Sequence, residues 1–499
     1  MEQTLVRSSA APVPGWMRRP LTAGAVLLLA LALLLRSPLF GDPLAGYDEQ
    51  FYLLTGARML DGAIPYVDIW DRKPIGLFLI YAFAASLGGS GVLAYQLLAA
   101  LCVGATGFVI ALFVRRFHSL GTGLACGFLY IVWVGTMGGQ DGQSPLFYNL
   151  PMAGAALLTL RAAGLGAGAG SLRLGAAAMA LCGLALTIKT STIFESCFFG
   201  LTLLTARWSA GRNLRDTAQA ALFFMALGAA PFLAAMAWYA AIGHFDAFWF
   251  ANAASAALRR DGWNADTPYN LLVTLGPLGP VLVLAIAGLW FRPADAPRAE
   301  SRFLLGWVIA ALMGFVSIGY FYQHYALPLL MPLVIACAPL FAHWRRGRIA
   351  LILVCAMPVA MQLGLNPIFA SRQRAQAAAI VAAIPPGVRD RCMLVYGGPP
   401  ILYQLTDACL VSRFAFPYHF YSAGEAGAIG ADQVGILGEA FAKRPLIVTT
   451  EVDAFPTRRN PRSDAFVAAE LARHYRIRAV LTHQFHDNDV HTLTIWERR

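Results

Sequence analysis

Charge is scarce in this chain. Only 13% of its 499 residues are Asp, Glu, Lys or Arg, while 58% are hydrophobic. Soluble domains are about a quarter charged. A wholly soluble protein is excluded, and a polytopic membrane protein with room for one soluble domain follows. Lysine is scarcer still, with Lys73, Lys189 and Lys443 the three among 38 basic residues. The net charge of +11 is spread over short loops between apolar runs. It is not gathered into a patch, which excludes a nucleic-acid face, and its distribution follows membrane topology instead. There is no Walker A sequence to couple transport to ATP, no GxSxG, no HExxH and no His spacing of a structural zinc site. A divalent metal is compatible with the chain, but no motif demands one. No internal repeat or low-complexity tract occurs.

Cysteine is sparse and mostly apolar in setting. Cys102, Cys126, Cys182, Cys197, Cys337 and Cys355 lie in hydrophobic runs and read as packing residues. Cys392 and Cys409 lie in a polar tail. If that tail is outside the cytoplasm they can pair, although spacing alone does not decide it.

What is abundant is apolar sequence. A span needs about 20 apolar residues. Segments 21–37, 91–114, 119–137, 149–164, 172–188, 190–205, 217–242, 271–291, 301–319, 327–342 and 349–366 qualify, giving eleven spans, or twelve or thirteen if some are merged. Arg18-Arg19 precede the first run and no small-residue cleavage site follows it, so it reads as a retained helix rather than a signal peptide. Basic residues at 115–116, 173, 207–215, 292–302 and 345–348 fall in alternate loops. The positive-inside rule puts these and residues 1–20 in the cytoplasm. Loops 38–73, 138–148, 243–270 and 320–326 then lie outside, with everything after about 367. Run 75–88 would invert this scheme if it spanned, so it is expected to be a non-spanning element on the outer side.

The chain therefore divides into a cytoplasmic N-terminus (1–20), a transmembrane module (21–366) and an outward α/β domain (367–499). In the latter, 392–396, 409–414 and 445–450 read as strands. Segments 399–405 and 463–474 read as helices, and 476–482 with 491–497 as a closing hairpin.

One stretch gathers costly charge beside the membrane: Gly46 to Pro74, GYDEQFYLLTGARMLDGAIPYVDIWDRKP. Asp48-Glu49 admit two readings. Asp48 caps a helix that ends at Gly62, or it is an acid at an apolar boundary acting as a general base. Arg72 and Lys73 are either interface anchors or an anion site. Lys189, between two apolar runs, is either a loop residue or a site cation. Loop 139–149 carries Asp141 among hydrogen-bonding groups. The junction YFYQHYALP places Tyr320, Tyr322 and Tyr325 around His324. Loop 243–270 carries His244, Asp246, Arg259, Arg260, Asp261 and Trp263, a mixed-charge face.

Four of these features together resemble the GT-C membrane glycosyltransferases that use polyprenyl-phosphate sugars. The chain is most similar to the bacterial branch of glycosyltransferase family 39, the protein O-mannosyltransferase and aminoarabinose-transferase relatives. The features are Tyr47-Asp48-Glu49, the helix end Ala57-Arg58 to Pro65-Tyr66, Lys73-Pro74, and His324-Tyr325 to Pro332. The resemblance implies an inverting transfer of sugar from a polyprenyl-phosphate donor to an envelope acceptor. Asp48 would be the base, assisted or oriented by Glu49, and Lys73 the phosphate ligand, with Arg72, Arg58 or Lys189 helping. Tyr322, His324 and Tyr325 would lie near the lipid phosphate and Asp141 would be a second site acid. The implied location is the outer face of a bacterial inner membrane. Where aminoarabinose transferases often carry Arg after the acid pair, this chain has Phe51 and Tyr52. Where they carry a second Pro, it has Ile75. The donor sugar and the acceptor therefore stay unnamed. A flippase of lipid-linked sugars and a non-catalytic assembly protein are the competing classes.

Overall fold

The computed structural model describes residues 15–259, 267–293, 298–319, 321–452, 459–484 and 490–499. Tyr320, Arg260, Asp261 and Trp263 lie outside them.

The first nine helices are α1 (Gly15–Arg36), α2 (Asp48–Leu60), α3 (Ile75–Ser86), α4 (Val92–Val114), α5 (Leu120–Thr136), α6 (Ser144–Ala163), α7 (Ala169–Leu186), α8 (Ile193–Gly211) and α9 (Leu214–Ala241). Helices Thr267–Leu275, Gly279–Trp290, Arg298–Ser317, Leu327–Ala336, Ala338–His343 and Gly347–Ala360 complete the bundle. All eleven expected spans fall on these helices. Among the described residues, eight helical segments are long and apolar enough to cross a membrane. α5, with 17 residues, is shorter. α6 and α8 carry more polar side chains, among them Asn149 and Arg161 on α6 and Glu195 and Arg207 on α8. The chain is a multi-pass membrane protein. α3 has 12 residues, about 18 Å of helix, short of the ~30 Å hydrocarbon layer.

Two backbone approaches lock α3 into place. Gly56 on α2 faces the backbone of Tyr81 and Ala82 so closely that a Cβ would overlap it. Gly76, at the start of α3, donates its amide to the Thr187 carbonyl at 2.8 Å, and a Cβ there would strike Thr187. The first approach fixes α2, and the second ties α3 to the loop that carries Lys189. Gly56→Ala is expected to destabilise the protein by about 1–3 kcal/mol through overpacking. A fall in thermal midpoint checks this, and an unchanged midpoint would show that the two helices can separate freely.

The last long helix does not stop at 366. It continues from Gly347–Ala360 through a π-turn at Met361–Leu365 into Asn366–Ala383, so residue 367 falls inside a helix. Beyond it, β1 (Met393–Val395), β2 (Ile447–Val452), β3 (Tyr475–Gln484) and β4 (Val490–Arg498) form one sheet in the order β1-β2-β4-β3. β1 is parallel to β2, and the other pairs are antiparallel. Helices Gln433–Ala442 and Pro461–His474 pack together beside it. The expected strand at 409–414 is a single bridge, Leu410 to Met393. Beyond that bridge its backbone turns elsewhere: the Arg413 carbonyl accepts the Trp70 amide at 2.9 Å, which ties this segment to the loop before Lys73. Cys392 and Cys409 form a disulfide.

Candidate functional site

A cavity of about 790 Å³ opens where the ends of several membrane helices meet the C-terminal domain. Asp48, Arg72, Lys73, Lys189, Tyr322, His324 and Tyr325 all line it. Residues separated by some 280 positions in sequence therefore share one wall.

Asp48 is the first residue of α2, and Tyr47 is its N-cap; no side chain caps that end. The capping reading of Asp48 is thus overturned. Its carboxylate is occupied within the cavity: the Tyr52 hydroxyl donates to Oδ2 at 3.0 Å, one helical turn on. Lys73 Nζ stands 3.6 Å from the same oxygen and donates to the Tyr52 hydroxyl. Asp48, Tyr52 and Lys73 form a closed triangle, with the Lys73 ammonium also 4.9 Å from the Tyr52 ring centroid. Burial pushes the Asp48 pKa up, but Lys73, the Tyr52 hydrogen bond and Lys189 together bring it below the usual carboxylate range. Burial likewise opposes charge on Lys73, and Asp48 overcomes it, raising its pKa. The pair rests as carboxylate and ammonium.

Lys73 is held by a strained loop. Tyr66, fully buried, adopts φ +70°, a left-handed conformation uncommon for a bulky residue. Its hydroxyl donates to the Lys73 carbonyl at 2.9 Å. The Tyr239 hydroxyl, from α9, donates to the Pro65 carbonyl at 3.1 Å. Pro74 then starts α3 with an extended backbone, which directs Lys73 away from the helix.

Lys189 sits in the turn between α7 and the helical turn Thr190–Thr192. Its ammonium is 4.6 Å from the Tyr325 ring centroid. Burial lowers its pKa to about 7, with Lys73 adding repulsion. Tyr322 and His324 stack with centroids 5.9 Å apart, and His324 meets Tyr325 edge-on at 4.4 Å. The His324 Nε2 is buried and has no hydrogen-bond partner among the described residues. A buried polar atom of this kind facing a cavity is suited to a ligand.

The other expected residues divide differently. Glu49 is 1% exposed and outside the cavity. Gln143, which does line the cavity, donates to its Oε2 at 3.2 Å. Burial, Asp141 and Asp48 raise the Glu49 pKa well above normal. Asp141 is buried off the cavity, where its carbonyl accepts from Arg36. Arg58 donates to the Ala408 carbonyl at 2.7 Å and ties α2 to the C-terminal domain, away from the cavity. Arg72 is engaged by Glu425.

Sequence reading missed Tyr52 and the whole far wall. That wall comprises Phe416, Tyr418, His419, Tyr421 and Glu425, with Glu451 and His491. Phe416 packs on Tyr47 and Phe51 at 5.3 and 5.2 Å. Glu451 Oε1 bridges His491 Nδ1 at 2.8 Å and His483 Nε2 at 3.0 Å. Among the described residues, no three His, Cys, Asp or Glu side chains are grouped to hold a metal ion.

A bundle of membrane helices with an appended sheet domain gives the chain a GT-C-like fold. One solved structure that it matches over nearly its whole length is ArnT from Cupriavidus metallidurans, bound to undecaprenyl phosphate. That match has a TM-score of 0.62 and 15% identity, covering 97% of this chain and 98% of the other. The archaeal oligosaccharyltransferase AglB from Archaeoglobus fulgidus, in complex with an inhibitory peptide and a dolichol-phosphate, aligns at TM-score 0.45 and 11% identity. It covers 88% of this chain and 70% of its own. No protein-family model matches the chain, and no curated protein sequence matches it. The likeness establishes the fold; membership of family 39 is not assigned by it.

Proposed function

We propose that the chain is an inverting glycosyltransferase that moves a sugar from a polyprenyl-phosphate donor to a hydroxyl of an envelope acceptor, whether lipid, glycan or protein. One observation carries this: a carboxylate and an ammonium, bridged by Tyr52, face one cavity at the ends of membrane helices. ArnT, whose fold the chain shares, holds undecaprenyl phosphate. In the reaction, Asp48 takes the acceptor hydroxyl proton as that oxygen bonds to the anomeric carbon. The bond to the phosphate oxygen breaks, and its electron pair leaves with the phosphate. Lys73 and Lys189 stabilise the developing charge. Tyr322, His324 and Tyr325 wall the phosphate end. Glu49, behind the cavity, fixes the first turn of α2 through Gln143 and is a positioning residue rather than a second base. Asp141 and Arg58 are left out of the substrate contacts.

The site belongs at the outer face of a bacterial inner membrane, with the C-terminal domain extracytoplasmic. Two observations support this. The Cys392–Cys409 disulfide suits an oxidising compartment, and the arginine-rich loops alternate with those that carry the site.

Mass spectrometry of envelope glycolipids and glycoproteins, with and without the gene, tests the reading. A glycoconjugate that loses one sugar while the sugar-loaded polyprenyl phosphate accumulates is expected. Unchanged envelope glycans would refute transfer. Loss of donor from the outer leaflet alone would favour a flippase.

Lys189 makes binding depend on pH. Its pKa of about 7 leaves it charged below neutrality and neutral above, so its attraction for a phosphate fades as pH rises through 7. Undecaprenyl phosphate affinity should fall by up to about tenfold per pH unit between pH 7 and 8.5. Lys189→Arg, charged throughout, should flatten that fall. A wild-type profile already flat across this window would remove Lys189 from the phosphate site.

A further inference from the structure

The reaction above makes no use of one buried carboxylate on the cavity wall. Glu425, from the C-terminal domain, is 2% exposed. Arg72 grips both of its oxygens, Nη1 donating to Oε1 at 2.8 Å and Nη2 to Oε2. Arg259 reaches the same Oε1 through Nη2 at 2.9 Å. Two guanidinium groups from separate membrane-side segments thus share one carboxylate, and all three residues line the cavity. Burial alone would favour protonated Glu425, but the two arginines outweigh it and hold the pKa near 2.

Arg72 is anchored beyond Glu425: its Nε donates to Ser255 Oγ at 3.1 Å, and its guanidinium lies 5.3 Å from the Trp70 ring centroid. Ser255 in turn donates to the Ala428 carbonyl at 2.7 Å, so Arg72 belongs to a fixed joint between the two parts of the chain. Arg259 pairs with Glu425 Oε1 from near the end of the segment that follows Ser255–Ala257. It is also close enough to Lys73 to disfavour that ammonium electrostatically. A carboxylate and a phosphate oxyanion offer a guanidinium the same kind of acceptor.

We propose that Glu425 is a built-in competitor of the donor phosphate for Arg259. In the free protein Arg259 rests on Glu425. A phosphate seated against Lys73 draws Arg259 away, while Arg72 keeps Glu425 and the joint intact. Glu425 is then an affinity-setting residue: it makes phosphate binding weaker than the cavity's cations alone would allow. The exchange rests on the polyprenyl-phosphate reading given above.

Binding of undecaprenyl phosphate and of uncharged undecaprenol to the full chain in nanodiscs tests it. Glu425→Gln keeps the shape and one oxygen acceptor for Arg72 but removes the charge. It should tighten undecaprenyl phosphate binding about fivefold or more and leave undecaprenol unchanged. Adding Arg259→Ala should cancel that gain. Unchanged or weaker phosphate-lipid affinity in folded Glu425→Gln overturns the exchange. If that variant does not fold, Arg259→Ala in the wild-type background decides: selective weakening for the phosphate lipid supports the exchange, and equal binding overturns it. Wild-type protein that fails to prefer undecaprenyl phosphate over undecaprenol would sink the donor reading and this proposal together. A wild-type preference with no effect of Glu425→Gln would sink this proposal alone.

Discussion

Asp48→Asn is expected to slow sugar transfer by about 10²- to 10⁴-fold, the usual contribution of a positioned general base. It should not weaken undecaprenyl phosphate binding. Asn has the same shape, and its amide oxygen can still accept from Tyr52, so the start of α2 should persist. The substitution also removes a negative charge 3.6 Å from Lys73, a charge that opposes an incoming phosphate. Affinity is therefore expected to stay level or tighten while turnover collapses. The resting Asp48 is a weak base, since Lys73 helps hold its pKa below the normal range. A donor phosphate that engages Lys73 takes away part of that stabilisation, and the proton affinity of Asp48 rises as the donor arrives. The sign for pH follows. A depressed carboxylate pKa keeps the base ionised through the neutral range, so no acid limb from Asp48 should appear until pH falls below the ordinary carboxylate pKa. Quantifying transfer and lipid affinity on the same preparation separates the two effects. Wild-type turnover in Asp48→Asn would end the mechanism, whereas parallel loss of turnover and binding would assign Asp48 to lipid binding instead.

The parts of this site that sequence reveals are those whose location is physically costly. Asp48, Lys73 and Lys189 stand out because an ionisable group beside apolar runs has to be explained. Tyr52 does not stand out: a tyrosine one turn into an apolar helix reads as core, and its ring is indeed buried. Only the hydroxyl, between Asp48 and Lys73, shows its role. The place of Glu49 behind the cavity is hidden for the opposite reason. Neighbours on a helix point about 100° apart, so adjacency in sequence separates side chains rather than joining them. Asp48 faces the cavity, and Glu49 faces Gln143 and the backbone at Gly46. Glu425 lies 353 positions from Arg72, and no periodicity or motif carries that distance. The closing hairpin of the sheet was legible from β-rich alternation, as was the helix ending at His474. The segment 409–414 has the same alternation, but beyond its bridge to Met393 its backbone partner is Trp70, in another part of the chain. The membrane helices were legible, since apolar length specifies them, but the polar continuation of the last one to Ala383 was not. The α2–α3 contact was not, because it depends on Gly56 meeting backbone across the gap.

Lys73→Ala should produce the second large loss, in both steps at once. Undecaprenyl phosphate affinity and transfer are each expected to fall, transfer by about 10²- to 10³-fold, as when a preorganised partner of a developing oxyanion is removed. Lys73→Arg is expected to rescue little. The loop from Tyr66 to Pro74 fixes the backbone, and a planar fork cannot reproduce a point charge shared between Tyr52 and Asp48. The two central predictions constrain each other. Without Lys73 the balance at Asp48 tips toward burial, which raises its pKa; it can then rest protonated and fail as a base. Lys73→Ala thus removes the phosphate ligand and disables the base together. The double variant Asp48→Asn/Lys73→Ala should consequently transfer sugar only slightly more slowly than Lys73→Ala alone, a large departure from additivity. Losses that multiply in the double variant would instead mean that Asp48 and Lys73 act independently, and that the Tyr52 triangle is structural.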